Sequence, residues 1–262
     1  MSESEAPLAI VCAMSTELRH ALEAAAIAGE RRAGPWTIDS GRIDGRAVLL
    51  VRSGIGMVNA AAALSALLAL ERPAAVLNYG CAGAHRADLL PGDVVVGESL
   101  VAPQSLTVLP GGEERYTGIF CAHGPDARPV EMIDTERALL DAVTRAAQGW
   151  QPEPWPGAAT GSRRPAVQRG IVASADCWTQ HAPRIEALNQ RHGSLCEDME
   201  AAALAQVCAL WQIPFLTVKD ISNNELLAVT ELDEVMPSLE PHLDELGRRA
   251  WALLRRALPL MP

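Results

Sequence analysis

Aromatic side chains are scarce in this 262-residue chain: two Phe, two Tyr and six Trp, 4% in all. Ala, Leu and Val must therefore fill the core, and such small side chains suit helices packed closely on a sheet. Positive charge is also in deficit, with 22 Lys and Arg against 32 Asp and Glu and a formal net charge of −10. A binder of phosphate backbones needs a net basic face, and no Lys/Arg cluster offsets this acidity, so nucleic acid is not an expected partner. The apolar runs fall short of the roughly 20 residues a membrane helix needs, so no membrane association is expected. Six cysteines (Cys12, Cys81, Cys121, Cys177, Cys196, Cys208) lie far apart with no CxxC pair. Buried free thiols are expected from them, rather than disulfides or a zinc site. Residues 1–7 (MSESEAP) are acidic and lack the basic start of a secretory signal, which predicts a flexible N-terminus and a cytoplasmic protein.

What the chain does contain is an alternation of short apolar runs and helical patterns. Leu8–Ala13 (LAIVCA) has strand length, and Ser15 then caps a pattern with Leu18, Leu22 and Ala26 on one face, predicting helix to about Ala28. Strands are expected at Trp36–Ser40 and Ala47–Val51, joined through the hairpin-type turn Asp44-Gly45. Ser53-Gly54-Ile55-Gly56 leads into a small-residue helix, Val58–Leu70. Ala75–Asn78 then starts a buried strand into Gly80-Cys81-Ala82-Gly83. Further strands are expected at Gly92–Val101, Val167–Ala173 and Phe215–Lys219, and helices at Asp134–Ala147, Pro183–Arg191, Met199–Leu210 and Pro241–Leu258. Residues 149–165 carry four prolines and three glycines and predict a mobile loop. Without a repeat or a linker, the alternation predicts one α/β domain over residues 1–262, built on a largely covered mixed sheet.

Gly54-x-Gly56 before a helix invites a dinucleotide-binding reading, but Asn59 stands where the third glycine of GxGxxG belongs. A tight strand-to-helix turn, or backbone N–H groups facing an oxygen-rich ligand, fits better. Glu17 and Glu200 each open a helix just after a strand or turn. First-turn carboxylates are stabilised by the helix dipole, yet strand ends are also where α/β folds collect ligand groups. Asn223, in VKDISNNE, follows a strand as well, so three polar clusters could converge on one pocket.

The ordered blocks AMSTE (Ala13–Glu17), SGIGMVNAAAA (Ser53–Ala63), NYGCAGAH (Asn78–His85), PGDVVV (Pro91–Val96), CEDMEAAALAQVC (Cys196–Cys208) and IPFLTVKDISN (Ile213–Asn223) resemble the nucleoside phosphorylase superfamily. Their order and spacing most resemble its 5′-methylthioadenosine/S-adenosylhomocysteine nucleosidase branch. The similarity runs from about residue 8 to 258 and is weakest over 102–165. It implies a three-layer α/β/α domain with a central mixed, partly barrel-like sheet, no metal or organic cofactor, a purine nucleoside substrate and a homo-oligomer, at least a dimer. By the resemblance, Glu17 matches the carboxylate that activates the attacking water and Glu200 the one that grips the ribose hydroxyls. Met199 packs against the sugar, and Trp178 stands where an aromatic stacks on the purine. Cys81-Ala82-Gly83 replaces a Ser-Ala-Gly loop near the ribose, and Lys219 replaces an arginine that positions the carboxylates. Met14, Gly56, Asp198 and Ser222 lie beside these positions and are expected to line the same site.

These residue types suit the chemistry. Breaking an N-glycosidic bond passes through an oxocarbenium-like sugar, whose developing charge nearby carboxylates stabilise. A base on the water and a hydrogen bond to the leaving purine complete the requirement. The ordinary alternative for Trp178 is core packing. Two departures matter. Asn223 replaces the branch's purine-side Asp, and an amide cannot deliver a proton. It offers a donor and an acceptor, which fit the N7/O6 edge of a 6-oxopurine or, flipped, adenine. In the superfamily, Asn at this place accompanies 6-oxopurines, as in inosine/guanosine phosphorylases and futalosine hydrolases. Asp220 and Glu225 are the nearby acids, but strand alternation points Asp220 away from Asn223. The segment 102–133 lacks the branch's recognisable 5′-alkylthio pocket, which leaves the 5′ substituent open.

Phosphorolysis would need a site for a dianion, usually built with arginine. Asn78 and Cys81 stand where hexameric phosphorylases have Arg and Ser, so hydrolysis is favoured, with Arg52 the residue that keeps phosphorolysis in play. A non-catalytic nucleoside-binding relative is the third reading, and the presence of both Glu17 and Glu200 argues against it. The helix Val58–Leu70 has too few polar residues for a fully exposed face. Burial within the monomer or a subunit contact would each explain that, and the resemblance favours the contact.

Overall fold

The structure, a computed structural model, describes residues 6–122, 124, 126–156, 163–227 and 243–262. Strand β1 (Leu8–Cys12) is buried along its whole length, as befits a central strand covered on both faces. It pairs in parallel with β4 (Arg46–Arg52) on one side and β5 (Ala75–Ala84) on the other. Alternation along β1 splits its side chains between two cores. Ala9 and Val11 face one, while Leu8, Ile10 and Cys12 face the second.

In the first core, α2 (Met57–Leu70) packs on α5 (Ala201–Trp211) through Leu64, Leu67, Ala202 and Ala205. In the second, α1 (Ser15–Ala24), α3 (Arg137–Ala147) and α6 (Arg248–Ala257) contribute Leu18, Leu139, Val143, Trp251 and Leu254. The result is the expected three-layer α/β/α arrangement. Small residues on α2 and α5 let the two helices lie close, which is what a core poor in aromatics requires.

Beyond β4 the sheet continues antiparallel through β3 (Trp36–Ile43) to the edge strand β2 (Ala26–Ala33). On the other side of β5 it closes on itself. From β5 the ring passes to β13 (Ser194–Asp198), β12 (Val167–Ser174), β6 (Val94–Val101) and β14 (Phe215–Asn223), which pairs back to β5. Five strands thus form the barrel-like part of a mixed sheet. Short pairs β7 (Leu106–Val108) with β8 (Glu114–Tyr116), and β9 (Ile119–Phe120) with β10 (Pro129–Val130), occupy the irregular segment; β11 (Ile133–Asp134) borders β6.

Several boundaries differ from the sequence expectation. The first helix stops at Ala24, and Ala26–Ala33, expected to begin as helix, is the edge strand β2. Its pairing with β3 outweighs the helical preference of Ala25–Ala28. Strand β13 was not expected at all. The helix after Ile133 starts at Arg137 because Ile133 and Asp134 pair with Leu100 and Ser99. Helix α4 (Ala182–His192) ends on Gly193, whose φ of 68° favours glycine. The last helix begins at Arg248, and the expected start at Pro241 lies outside the described residues. The 149–165 loop is irregular as expected, but its described part is anchored rather than loose. Trp155 is buried with the Arg249 guanidinium 5.0 Å over its ring, and Arg163 pairs with Asp93 at 2.7 Å.

Candidate active site

The carboxyl ends of β1, β4, β5, β12, β13 and β14 converge, and a cavity of about 300 Å³ opens there. Met14, Glu17, Cys81, Ala82 and Gly83 line it, and so do Trp178, Asp198, Met199, Glu200, Ser222 and Asn223. Of the thirteen residues proposed from sequence, these eleven share one space. Gly56 and Lys219 stand behind it and act on its carboxylates.

Glu17 sits at the first turn of α1 and is buried. Its Oε2 accepts from the Met14 N–H at 3.0 Å, and its Oε1 from the Cys81 N–H at 2.9 Å. Burial raises its pKa above the ordinary carboxylate value, against the pull of Lys219. The carboxylate occupies the space over Gly80, where any β-carbon would overlap it. The Cys81 thiol is pushed well up by burial and by Glu17, which keeps it protonated.

Glu200 is the N-cap residue of α5, yet its side chain turns to another helix. The Gly56 N–H, at the start of α2, donates to its Oε1 at 2.7 Å. Burial and the neighbouring Asp198 push its pKa to about 7. The next amide of α2, Met57 N–H, donates to Asp176 Oδ1 at 2.7 Å. The amides expected to face a ligand at this helix start are thus held by two acids of the chain itself. Gly56 adopts φ 102°, and a β-carbon there would meet Asp176, so the turn needs glycine.

Lys219 is buried on β14 with Nζ 2.7 Å from Asp198 Oδ2. Burial opposes its charge, but Asp198, Glu200 and Glu17 together hold its pKa above the ordinary lysine value. Asp198 also accepts from Ser174 Oγ and from the Ala201 N–H at 3.0 Å. With that carboxylate saturated, Lys219 anchors an array of acids from behind. Asn223 is fixed on both sides: Ser222 Oγ donates to its Oδ1 at 2.9 Å, and its Nδ2 donates to Glu225 Oε1 at 3.0 Å. Asp220 points the other way, as alternation requires, and accepts the Gly247 and Arg249 N–H groups at 3.0 Å. Trp178 is 41% exposed, which excludes the core-packing alternative.

Sequence reasoning missed Ile55, Cys177, Glu197 and Leu246, all of which line the cavity. Only Glu197 among them is a carboxylic acid. It lies in the unexpected strand β13, so nothing in the sequence showed which way it faces. Among the described residues, no arginine or lysine lines the cavity. Arg52 borders an adjoining groove of about 860 Å³ instead, and Asn78 is buried between Val11 O and Thr217 Oγ1. All six cysteines are free; Cys12, Cys196 and Cys208 are buried, whereas Cys177 is exposed. No helix among the described residues is long and apolar enough to cross a membrane, and no group of three His, Cys, Asp or Glu there could hold a metal ion.

An α/β domain with acids gathered at the mouth of a small barrel defines a class that comparison makes explicit. The family model described as "Phosphorylase superfamily" matches residues 7–257, and the chain belongs to that family. Its relatives include the 5′-methylthioadenosine/S-adenosylhomocysteine nucleosidase of Anoxybacillus flavithermus, 28% identical over 82% of this chain and 84% of that one. The enzyme of that name from Geobacillus thermodenitrificans is 30% identical over 70% of each chain. In fold the chain is similar to the S-adenosylhomocysteine nucleosidase of Streptococcus pyogenes, with TM-score 0.78, 22% identity and full coverage of both chains. It is also similar to the futalosine hydrolase of Helicobacter pylori, with TM-score 0.77 and 20% identity over 98% of this chain and 99% of that one.

Proposed function

We propose that the protein hydrolyses the N-glycosidic bond of a purine nucleoside, with water activated by Glu17 and the ribose held by Glu200. One observation carries the reading. The cavity presents Glu17, Asp198 and Glu200 and, among its described lining residues, no arginine or lysine. Such an environment favours a cationic sugar and disfavours a second anion, so an oxocarbenium-like transition state fits and a bound phosphate dianion does not. Glu17, held by two backbone N–H groups with its pKa raised, is aimed and basic enough to take a proton from water. The ribose hydroxyls fall to Glu200, with Met199 against the sugar and Trp178 over the base. The activities named for the relatives support this assignment.

Asn223, with its amide held between Ser222 and Glu225, reads the N7/O6 edge of the base. A 6-oxopurine nucleoside is therefore the preferred substrate, a departure from the adenine nucleosides named for the relatives.

The test is release of free base from a panel of inosine, guanosine, adenosine and their 5′-methylthio forms, with and without phosphate. Release that is independent of phosphate is expected. Strict phosphate dependence with a sugar 1-phosphate product would install phosphorolysis through Arg52, and binding without turnover would make the protein a nucleoside-binding relative.

The protein acts as a cytoplasmic homodimer in this reading. α2 turns Ala60, Ala63, Leu64 and Leu67 into its own core, yet leaves Val58 77% exposed and Ile55, on the cavity wall, 53% exposed. A second copy covering these residues would remove that apolar surface from water. Sedimentation at micromolar concentration should show a dimer, and a monomer alone would refute it.

A further inference from the structure

Helix α2 brings no side-chain cap of its own: its N-cap residue is Gly56, and its first turn carries no acid. The first N–H groups of a helix lack partners within it and favour negative charge nearby. Two acids from distant parts of the chain meet this need. Glu200 accepts the Gly56 N–H and Asp176 accepts the Met57 N–H, each at 2.7 Å. Glu200 already has a task at the ribose. Asp176 does not line the cavity, and the proposed chemistry leaves it without one.

Its place in the chain supplies one. Asp176 stands two residues before Trp178, in the irregular segment 175–181 between β12 and α4. Trp178 is partly exposed, so packing alone does not fix it against the cavity. The backbone around it is held instead. The Ala175 N–H donates to the Asp198 carbonyl at 3.1 Å, and the Thr179 N–H donates to Glu197 Oε1 at 2.7 Å. Between these ties Asp176 adds a third, to the start of α2. The approach is close, since a β-carbon on Gly56 would lie 2.9 Å from Asp176 Oδ1. Ties at 175, 176 and 179 leave only Cys177 and Trp178 between them, and both face the cavity.

Resting on the nucleosidase reading above, we infer that Asp176 is a positioning residue for base binding, whose bond to the Met57 N–H holds Trp178 where it stacks on the purine. Without that bond the segment is tied only at Ala175 and Thr179, and the indole can turn toward solvent. Glu200 keeps its own bond to the Gly56 N–H, so the acid assigned to the ribose stays in place. Stacking on a purine face is made in the ground state and in the transition state alike. Its loss therefore weakens binding without slowing the chemical step.

Fluorine NMR of the full chain labelled with 5-fluorotryptophan tests the positioning without any nucleoside. The chain has six tryptophans, and the resonance missing from Trp178→Phe identifies Trp178. In Asp176→Ala that resonance should move toward the position of the unfolded chain, with the others unmoved. Asp176→Asn retains an oxygen that accepts the Met57 N–H and should restore it. Met57→Pro deletes the donor of the same bond, at a first helical position where proline is tolerated, and should reproduce the Asp176→Ala result. Kinetics on the nucleoside that the wild type hydrolyses fastest form the second arm. Asp176→Ala should raise KM about five- to tenfold, the lower end of what a base–aromatic stack contributes. Its kcat should stay within about twofold of wild type. In a Trp178→Ala background the same substitution should leave KM unchanged, because it acts through the indole. A Trp178 resonance unmoved in both Asp176→Ala and Met57→Pro, a fall in kcat at unchanged KM, or the full KM effect persisting without Trp178 would each overturn the inference. The fluorine arm needs no substrate, so it decides the inference even if the wild type hydrolyses nothing. Nucleoside hydrolysis by the wild type, in turn, stands whatever these variants do.

Discussion

Glu17 fills the volume that a side chain at residue 80 would occupy: its carboxylate lies over the Gly80 α-carbon and accepts the N–H of the next residue, Cys81, at 2.9 Å. The acid is therefore placed by an absence on the neighbouring strand as much as by its own helix. Gly80→Ala should cost at least about 100-fold in kcat, since a displaced base loses the general-base contribution. The far-UV circular dichroism should be retained. Glu17→Gln keeps the shape and should lower kcat by a similar factor, with nucleoside affinity within a few-fold. Near-normal kcat in Glu17→Gln would remove this residue from the reaction.

Glu200 behaves differently, because its carboxylate joins a helix start to the proposed ribose site. Replacing it by Gln weakens both the Gly56 contact and the charge-assisted bonds to sugar hydroxyls. Both KM and kcat should suffer, with kcat/KM down by at least about 100-fold, the sum of two bonds to a charged group. Unchanged substrate affinity would contradict the ribose role.

Burial leaves a signature in the pH profile. Glu200 and Asp220 are raised to about 7, from ordinary values of 4.5 and 3.8. Over that interval the folded protein holds protons that the unfolded chain has released, so stability falls as pH rises. The melting temperature should be higher near pH 5.5 than near pH 7.5 (about two units apart), and Glu200→Gln should flatten the slope. Turnover should run oppositely, falling with acid through the raised pKa of Glu17, since the base must be ionised. Differential scanning calorimetry and kcat/KM measured across the same buffers check both signs.

Asn223→Asp places a carboxyl 3.0 Å from Glu225 Oε1, where repulsion between two acids favours keeping one proton. That restores an acid at the purine edge, worth about 10²–10⁴-fold for a leaving group that needs protonation. Preference should shift toward adenosine over inosine in kcat/KM. A wild type that already prefers adenosine, with preference unmoved by the substitution, would end the case for Asn223 as a selector.

The layers of this fold were legible because its interior strands are continuous apolar runs and its inner helices are almost wholly Ala and Leu. Edge strand β2 was not, since AIAGERRA is polar, largely exposed and held by pairing alone. Strand β13 hid for the opposite reason. SLCED is fully buried although two of its five residues are acids, and hydrogen bonds that only the tertiary structure supplies make this tolerable. The same split runs through the site. Glu17, Glu200 and Asn223 follow recognisable strand or turn signals, whereas the way Glu197 faces is set by its pairing with Gly83, which a linear reading cannot contain.

Closure of the sheet on itself has a mechanical consequence. Each strand of the ring is bonded on both sides, so sliding one by a single residue would break two ladders together and turn every side chain on it to the other face. Glu197 and Asn223, each paired to Gly83, therefore keep their backbone spacing like the fixed jaws of a calliper.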